Sequence, residues 1–435
     1  MSRKIAVIGG GLAGSEVAWQ LHRAGLDVSI YEMKPERYSP AHANPQLAEL
    51  VCSNSFRSDV LHSGPGLLKS EMRSLESLIM AVADKVRVPA GKALAVDREK
   101  FAAMVTECLD QASGMDIKRR EIASLSDPAL TPYSEVVIAA GPLASPDLTA
   151  SLLQKTNQEG LSFYDAIAPI VSADSINWDR VFWGSRYDPE STDYLNCPLN
   201  KEEYLALRQG LLTGERVGSK AFEGHFEGCL PVETMAERGE MTLAFGPLKP
   251  VGLTDPRTGE RPFAVVQLRA ENMEKTMFNL VGFQTKLTYT EQDRVFRSIP
   301  GLEQAEFLRL GSIHRNTFVN APKVLQPNLE LKKAQGVFLA GQLTGVEGYI
   351  ESAACGLWLG LHLGRNVSLP PEETALGGLL NHLRQPQENF QPMNINFGLL
   401  PPLKQRMKKA KRKEAYAVRA QRALAEWLVA LESET

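Results

Sequence analysis

The sequence lacks any uninterrupted run of the roughly 18 to 20 apolar residues that a membrane span needs. Its best candidates are broken by Glu16, Glu347 and Glu351, so a soluble protein without a membrane partner is expected. It also lacks a CxxC pair: the five cysteines, Cys52, Cys108, Cys197, Cys229 and Cys355, are scattered and odd in number. That excludes a disulfide framework and a zinc ribbon, and it points to a reducing cytoplasm with no metal site. There is no internal repeat and no low-complexity tract. The balance of 43% hydrophobic to 23% charged residues is ordinary for a globular chain. The basic start Met1-Ser2-Arg3-Lys4 imitates the head of a signal peptide, but the apolar run behind it dissolves into a glycine turn. The 435 residues leave room for two or three domains, at roughly 150 residues each.

What the sequence has is a strand, turn, helix and strand in its first 32 residues. Lys4–Ile8 reads as a buried strand, Ser15–Ala24 has helical apolar spacing, and Asp27–Tyr31 is a second strand ending at Glu32. Between the first two lies Gly9-Gly10-Gly11-Leu12-Ala13-Gly14. Glycines at 9, 11 and 14 suit a tight turn, close approach of a pyrophosphate and close helix packing. The helix N-terminus adds partial positive charge. Glu32 stands where a carboxylate accepts hydrogen bonds from a ribose without a 2′-phosphate. An adenine dinucleotide is the expected ligand. A second glycine-rich turn, Gly341 to Gly348 with Gly345 and then Tyr349, follows the apolar strand 336–341 and precedes a helix at 352–363. Its amides can meet the far end of a long cofactor, which favours FAD. The helix at 97–109 and the strand at 134–140 complete the pattern of a parallel sheet.

The fold expected is therefore α/β: a discontinuous FAD-binding, Rossmann-like domain over 1–150 and 331–370, an inserted mixed α/β substrate domain over 151–330, and a basic helical segment over 371–435. Net charge is −3, yet nine Lys and Arg face one acid, Glu414, between Lys404 and Arg422. Lys408, Lys409, Lys411 and Arg412 sit at its densest part, and such density suits phosphate-backbone contact. Acidic membrane lipid is the competing partner. Cys52, in a polar loop, and Cys229, between Gly228 and Pro231 and near His225, are candidate nucleophiles. Cys108 and Cys355 read as structural.

The motifs that carry a family resemblance run along nearly the whole chain. They are the glycine turn, Tyr31-Glu32-Met33-Lys34-Pro35, Glu49-Leu50-Val51-Cys52-Ser53-Asn54-Ser55, Arg87-Val88-Pro89-Ala90-Gly91 and Gly246-Pro247-Leu248-Lys249-Pro250-Val251-Gly252-Leu253. Asn279-Leu280-Val281-Gly282-Phe283-Gln284-Thr285, His314-Arg315-Asn316-Thr317-Phe318 and Asn394-Ile395-Asn396-Phe397-Gly398-Leu399-Leu400-Pro401-Pro402 follow. With them the chain closely resembles the bacterial folate- and FAD-dependent tRNA (uracil-5-)-methyltransferases, the TrmFO family. The resemblance implies FAD, 5,10-methylenetetrahydrofolate and NADH or NADPH as cofactors and cosubstrates. It implies tRNA as partner and the T-loop uridine at position 54 as target. It also implies that the two family cysteines fall on Cys52 and Cys229, with Cys229 attacking carbon 6 of uracil and Cys52 acting near the flavin or as the base. Tyr349 is implied to lie close to the isoalloxazine. Two other readings remain: the longer flavoprotein that modifies the wobble uridine of tRNA, and an FAD-containing RNA-binding scaffold or chaperone.

Overall fold

The run Lys4–Ile8 is buried at four of its five positions, the continuous apolar pattern of a strand covered on both faces. In the computed structural model, which describes residues 3–157, 161–188, 190–217, 230–388, 390–404 and 407–433, it is central to a six-stranded sheet. The order is Glu330–Leu331, Ala334–Leu339, Glu135–Ile138, Lys4–Ile8, Asp27–Glu32, Met115–Arg119. All neighbours are parallel except the edge pair Glu330–Leu331 and Ala334–Leu339. The chain leaves Lys4–Ile8 on one side through Asp27–Glu32 and returns on the other through Glu135–Ile138. A crevice opens at the carboxyl ends of such diverging strands.

The helix expected from Ser15 begins earlier, spanning Leu12–Arg23, so Gly14 lies inside its first turn. The reason is contact: a Cβ on Gly14 would stand 1.9 Å from the Gly9 carbonyl oxygen. Against this helix lies Tyr349–Arg365, whose Gly356 and Gly360 share one face at helical spacing. A Cβ on Gly356 would meet the Ala13 oxygen at 2.2 Å and one on Gly360 the Val17 oxygen at 2.9 Å. The two backbones therefore touch directly, and this fixes both helix starts over the crevice.

A second, wholly antiparallel sheet of six strands runs Phe182–Trp183, Tyr194–Leu199, Ala264–Ala270, Met277–Leu280, Ile170–Ser172, Phe307–Arg309. Its apolar side builds a core from residues 171–307, while residues 5–152 and 318–427 share the other large core. A two-stranded ribbon, Leu161–Ala166 with Ile313–Phe318, joins them. The C-terminal helix Lys409–Ser433 buries Ala417, Ala420, Leu424 and Trp427 in the first core and donates the Trp427 indole N–H to Ser368 Oγ at 3.1 Å. Among the described residues no helix is long and apolar enough to cross a membrane. Nor, among them, does any group of His, Cys, Asp and Glu suit a metal ion.

Candidate active site

The crevice is an open cleft at the switch point of the parallel sheet. Gly9, Gly10, Gly11, Leu12 and Ala13 line its floor. Gly9 has φ +100°, and a Cβ there would run into the Ala139 carbonyl oxygen at 2.6 Å. Gly14 lies behind the floor and locks helix to strand. Gly11 caps the helix without a side-chain partner, and a Cβ on it would meet nothing within 4 Å. Free helix N–H groups thus face open space, which suits a pyrophosphate. Glu32, buried at the end of the second strand, accepts the Gly10 N–H at 2.9 Å and the Lys34 N–H at 3.0 Å. Its carboxylate is thereby fixed on the cleft wall.

The opposite wall is Ala139–Ser145, and the far end is Ala340, Gly341, Gln342, Tyr349 and Ser352. The Ser352 hydroxyl is buried without a hydrogen-bond partner among the described residues, an arrangement that a ligand polar group would relieve. Uncapped amides, an open Gly11, an anchored carboxylate and an orphan hydroxyl fit an adenine dinucleotide such as FAD. Gly345 is not part of this lining. Its φ is +98°, and a Cβ there would strike the Phe390 ring at 2.5 Å.

Tyr349 ends the cleft and also reaches the cysteine loop. Its hydroxyl accepts the backbone N–H of Cys52 at 2.6 Å and of Ser53 at 3.1 Å. Burial, with the nearby Cys52 next in weight, pushes this phenol well above its ordinary pKa, so it stays a neutral hydroxyl. Cys52, half-buried, directs its thiol to the Ala166 carbonyl oxygen at 3.7 Å. Asn54 donates to the carbonyls of Val96 and Ala270, and Arg269 donates to Asn54 at 2.8 Å and Ser53 Oγ at 2.8 Å. Arg98, ion-paired with Glu271 at 2.9 Å, and Arg309 also interact electrostatically with Cys52. Three guanidiniums therefore put positive charge around this sulfur.

Two further titratable groups lie here that the sequence reading passed over. His42, on the cleft wall, is pushed down to about 4 by burial and then by Lys34, and it is neutral at pH 7. Glu347 is pushed up to about 8, first by burial and then by the charge of Asp165; it accepts the Gln342 side-chain N–H at 2.9 Å. Neither carried a local signal, because a His in a polar loop or a Glu among glycines looks solvated until the fold closes over it.

Cys229 lies outside the described residues. Lys408, Lys411 and Arg412 are exposed around the start of the C-terminal helix. Lys409 begins that helix, and its side chain lies outside the described positions. Cys355 is buried, with its thiol pushed up to about 11 by burial; burial likewise raises Cys197 and Cys108.

Residues 4–369 match the family described as glucose inhibited division protein A. The chain is 61% identical over 433 residues to the methylenetetrahydrofolate–tRNA-(uracil-5-)-methyltransferase TrmFO of Oleidesulfovibrio alaskensis, covering 98% of this chain and 97% of that protein. It is 55% identical to the protein of the same name from Moorella thermoacetica, with 98% of each covered. Among solved structures, Aquifex aeolicus GidA in its form I crystal superposes with a TM-score of 0.69 at 16% identity, covering 98% of this chain and 76% of that one. This second likeness establishes the shared fold.

Proposed function

We propose, for a chain that belongs to the methylenetetrahydrofolate–tRNA-(uracil-5-)-methyltransferases of the TrmFO family, that the dinucleotide cleft and the Cys52 loop work as one active site. The enzyme takes its one-carbon unit from methylenetetrahydrofolate and delivers it to carbon 5 of a tRNA uracil. The target is the T-loop uridine at position 54, the product is ribothymidine, NADH or NADPH is the reductant, and the compartment is the cytoplasm.

A methylene group is one hydride short of a methyl group, and the flavin supplies that hydride when bound. The chain's own residues do the rest. Gly9 to Ala13 and Glu32 would hold the adenine part of the dinucleotide, and Gly341, Ser352 and Tyr349 would receive its other end. Cys229 is the thiol for carbon 6 of the ring; its addition makes carbon 5 nucleophilic, and its departure restores the ring once the carbon 5 proton has gone. Cys52 acts at the flavin end or as the base for that proton. Its loop is held by the Tyr349 hydroxyl and Arg269, so the sulfur is kept at the end of the cleft. The exposed Lys408, Lys411 and Arg412, with Lys409, contribute phosphate contacts.

The observation that carries this reading is the double hydrogen bond from the Cys52 and Ser53 amides to Tyr349, a residue that also lines the cleft. The test is methylation of an unmodified tRNA transcript with labelled methylenetetrahydrofolate, with and without NAD(P)H. Label is expected in ribothymidine only with reductant present, and Cys52→Ala is expected to lose at least about a hundredfold in rate while keeping its flavin. Label arriving from S-adenosylmethionine, or methylation without reductant, would overturn the proposal.

A further inference from the structure

Among the aromatic side chains exposed on the antiparallel half of the molecule are Phe245, 79% exposed, and Tyr187, 60% exposed. A lone exposed aromatic needs no explanation. These two belong to one braced unit. Tyr187 has φ +67°, a left-handed backbone in which a bulky side chain is strained, and strain of this kind concentrates at functional positions. The turn that carries it is clamped to the loop that follows Phe245. Arg186, held below its usual range at about 10 by burial, donates to the Pro247 carbonyl at 2.7 Å, and its buried Nε has no partner among the described residues. Gly252 approaches so closely that a Cβ on it would lie 3.0 Å from the Tyr187 nitrogen.

The charge beside these rings is positive. Lys249 Nζ lies 5.4 Å from the Tyr187 ring centroid, and Lys249, then Arg186 and Lys92, hold the Tyr187 phenol below its ordinary range. The unit is also tied to the cysteine loop. Tyr194 donates its hydroxyl to the Ala90 carbonyl at 2.9 Å and pairs in register with Arg269, the residue that grips Ser53 beside Cys52. Tyr194, seven residues after Tyr187 along the chain, thus sits in register with the residue that holds the Cys52 loop.

We propose that Phe245 and Tyr187, with Lys249, form a stacking platform for unpaired nucleotides flanking the target uridine. This rests on the methyltransferase reading above. An RNA base presents an apolar face only where it is unstacked, as in a loop, and such faces stack on aromatic rings regardless of base identity while a neighbouring lysine meets the phosphate. A duplex buries those faces and offers only its backbone. The target uracil must itself leave its stack to reach a thiol, which frees the faces of its neighbours.

The test is equilibrium binding of the FAD-loaded enzyme to an unmodified tRNA transcript and to a blunt RNA duplex of similar length. Phe245→Ala and Tyr187→Ala are each expected to weaken transcript binding roughly five- to hundredfold with duplex binding unchanged. Phe245→Tyr should restore binding, and Tyr289→Ala, a ring 62% exposed elsewhere, should leave it as in the wild type. Lys249→Ala should lower the slope of log affinity against log salt by about 0.7. Wild-type enzyme that binds neither RNA would overturn the methyltransferase reading and the platform with it. Wild-type binding that both alanine variants leave intact, or that they weaken equally for transcript and duplex, would overturn the platform alone.

Discussion

The two glycine-rich turns look alike in sequence, each following a strand and opening a helix, yet they use glycine for different ends. In the first, Gly11 borders open space, Gly9 lets the strand end pass Ala139, and Gly14 lets the helix touch the strand. In the second, Gly341 lies so close to Ala13 that an added Cβ would stand 2.8 Å from the Ala13 Cβ, and Gly345 lies against the Phe390 ring. Gly348, at φ +109°, leaves room for the Glu351 carboxylate, which pairs with Arg57. The first turn keeps one glycine, Gly11, open among packed ones, whereas an added Cβ at each of Gly341, Gly345 and Gly348 would meet the protein within 3 Å. A glycine pattern therefore marks close approach, and only the fold decides whether a ligand or the protein approaches.

The largest effect expected comes from Gly14→Val. Even a Cβ there lies 1.9 Å from a backbone oxygen that cannot rotate away. Loss of about 3 kcal/mol or more and a colourless protein are expected, read by thermal melt and flavin absorbance. Retention of flavin at wild-type stability would break the account of the first turn. Gly345→Ala comes next: about 1–3 kcal/mol of stability lost to the Phe390 contact and the left-handed backbone, with flavin affinity of the folded protein unchanged. Flavin loss at an unchanged melting temperature would make Gly345 a binding position like Gly341, and its assignment to packing would fall.

The effect of Glu347, in the second turn, is smaller at each step of pH. Its folded pKa of about 8 lies above the ordinary 4.5, so the folded chain keeps a proton that the unfolded chain releases. Its contribution is fully present below about 4.5 and declines as pH rises toward about 8, on the order of 1 kcal/mol per pH unit. Glu347→Gln should flatten that decline in denaturant titrations across this window, leaving the slope due to Glu16 and Glu71, whose pKa values burial likewise raises. An unaltered slope would place the charge cost elsewhere. The smallest effect is Gly11→Ala. Its φ of −74° suits any residue, so stability should hold while flavin affinity falls only several-fold, about 1 kcal/mol. A large fall in melting temperature would show that Gly11 is packed like the glycines of the second turn.

Much of the cofactor half was legible because its signals are local. Apolar runs give strands, helical spacing gives helices, and a carboxylate at the end of the second strand needs no distant partner to be noticed. The helix start at Leu12 was missed because Gly14, read as turn, is helical in order to touch Gly9. The basic stretch reads as an amphipathic helix with Met407, Ala410, Ala415, Tyr416 and Val418 as its apolar minority, but Met407 and Val418 are exposed and the helix packs instead through Ala417, Ala420, Leu424 and Trp427.

By itself, then, the sequence determined the dinucleotide turn, Glu32, the parallel sheet and the family motifs. Each of these is written within a few residues and follows from backbone sterics and side-chain period. Only the tertiary structure decided that Tyr349 holds Cys52 across 297 positions, and that Arg269 holds Ser53 across 216. The same is true of Gly345, which meets Phe390, and of Arg186, which clamps the loop after Phe245. Contacts of that range leave no periodic trace, because they exist only once two cores have closed and desolvated the groups between them.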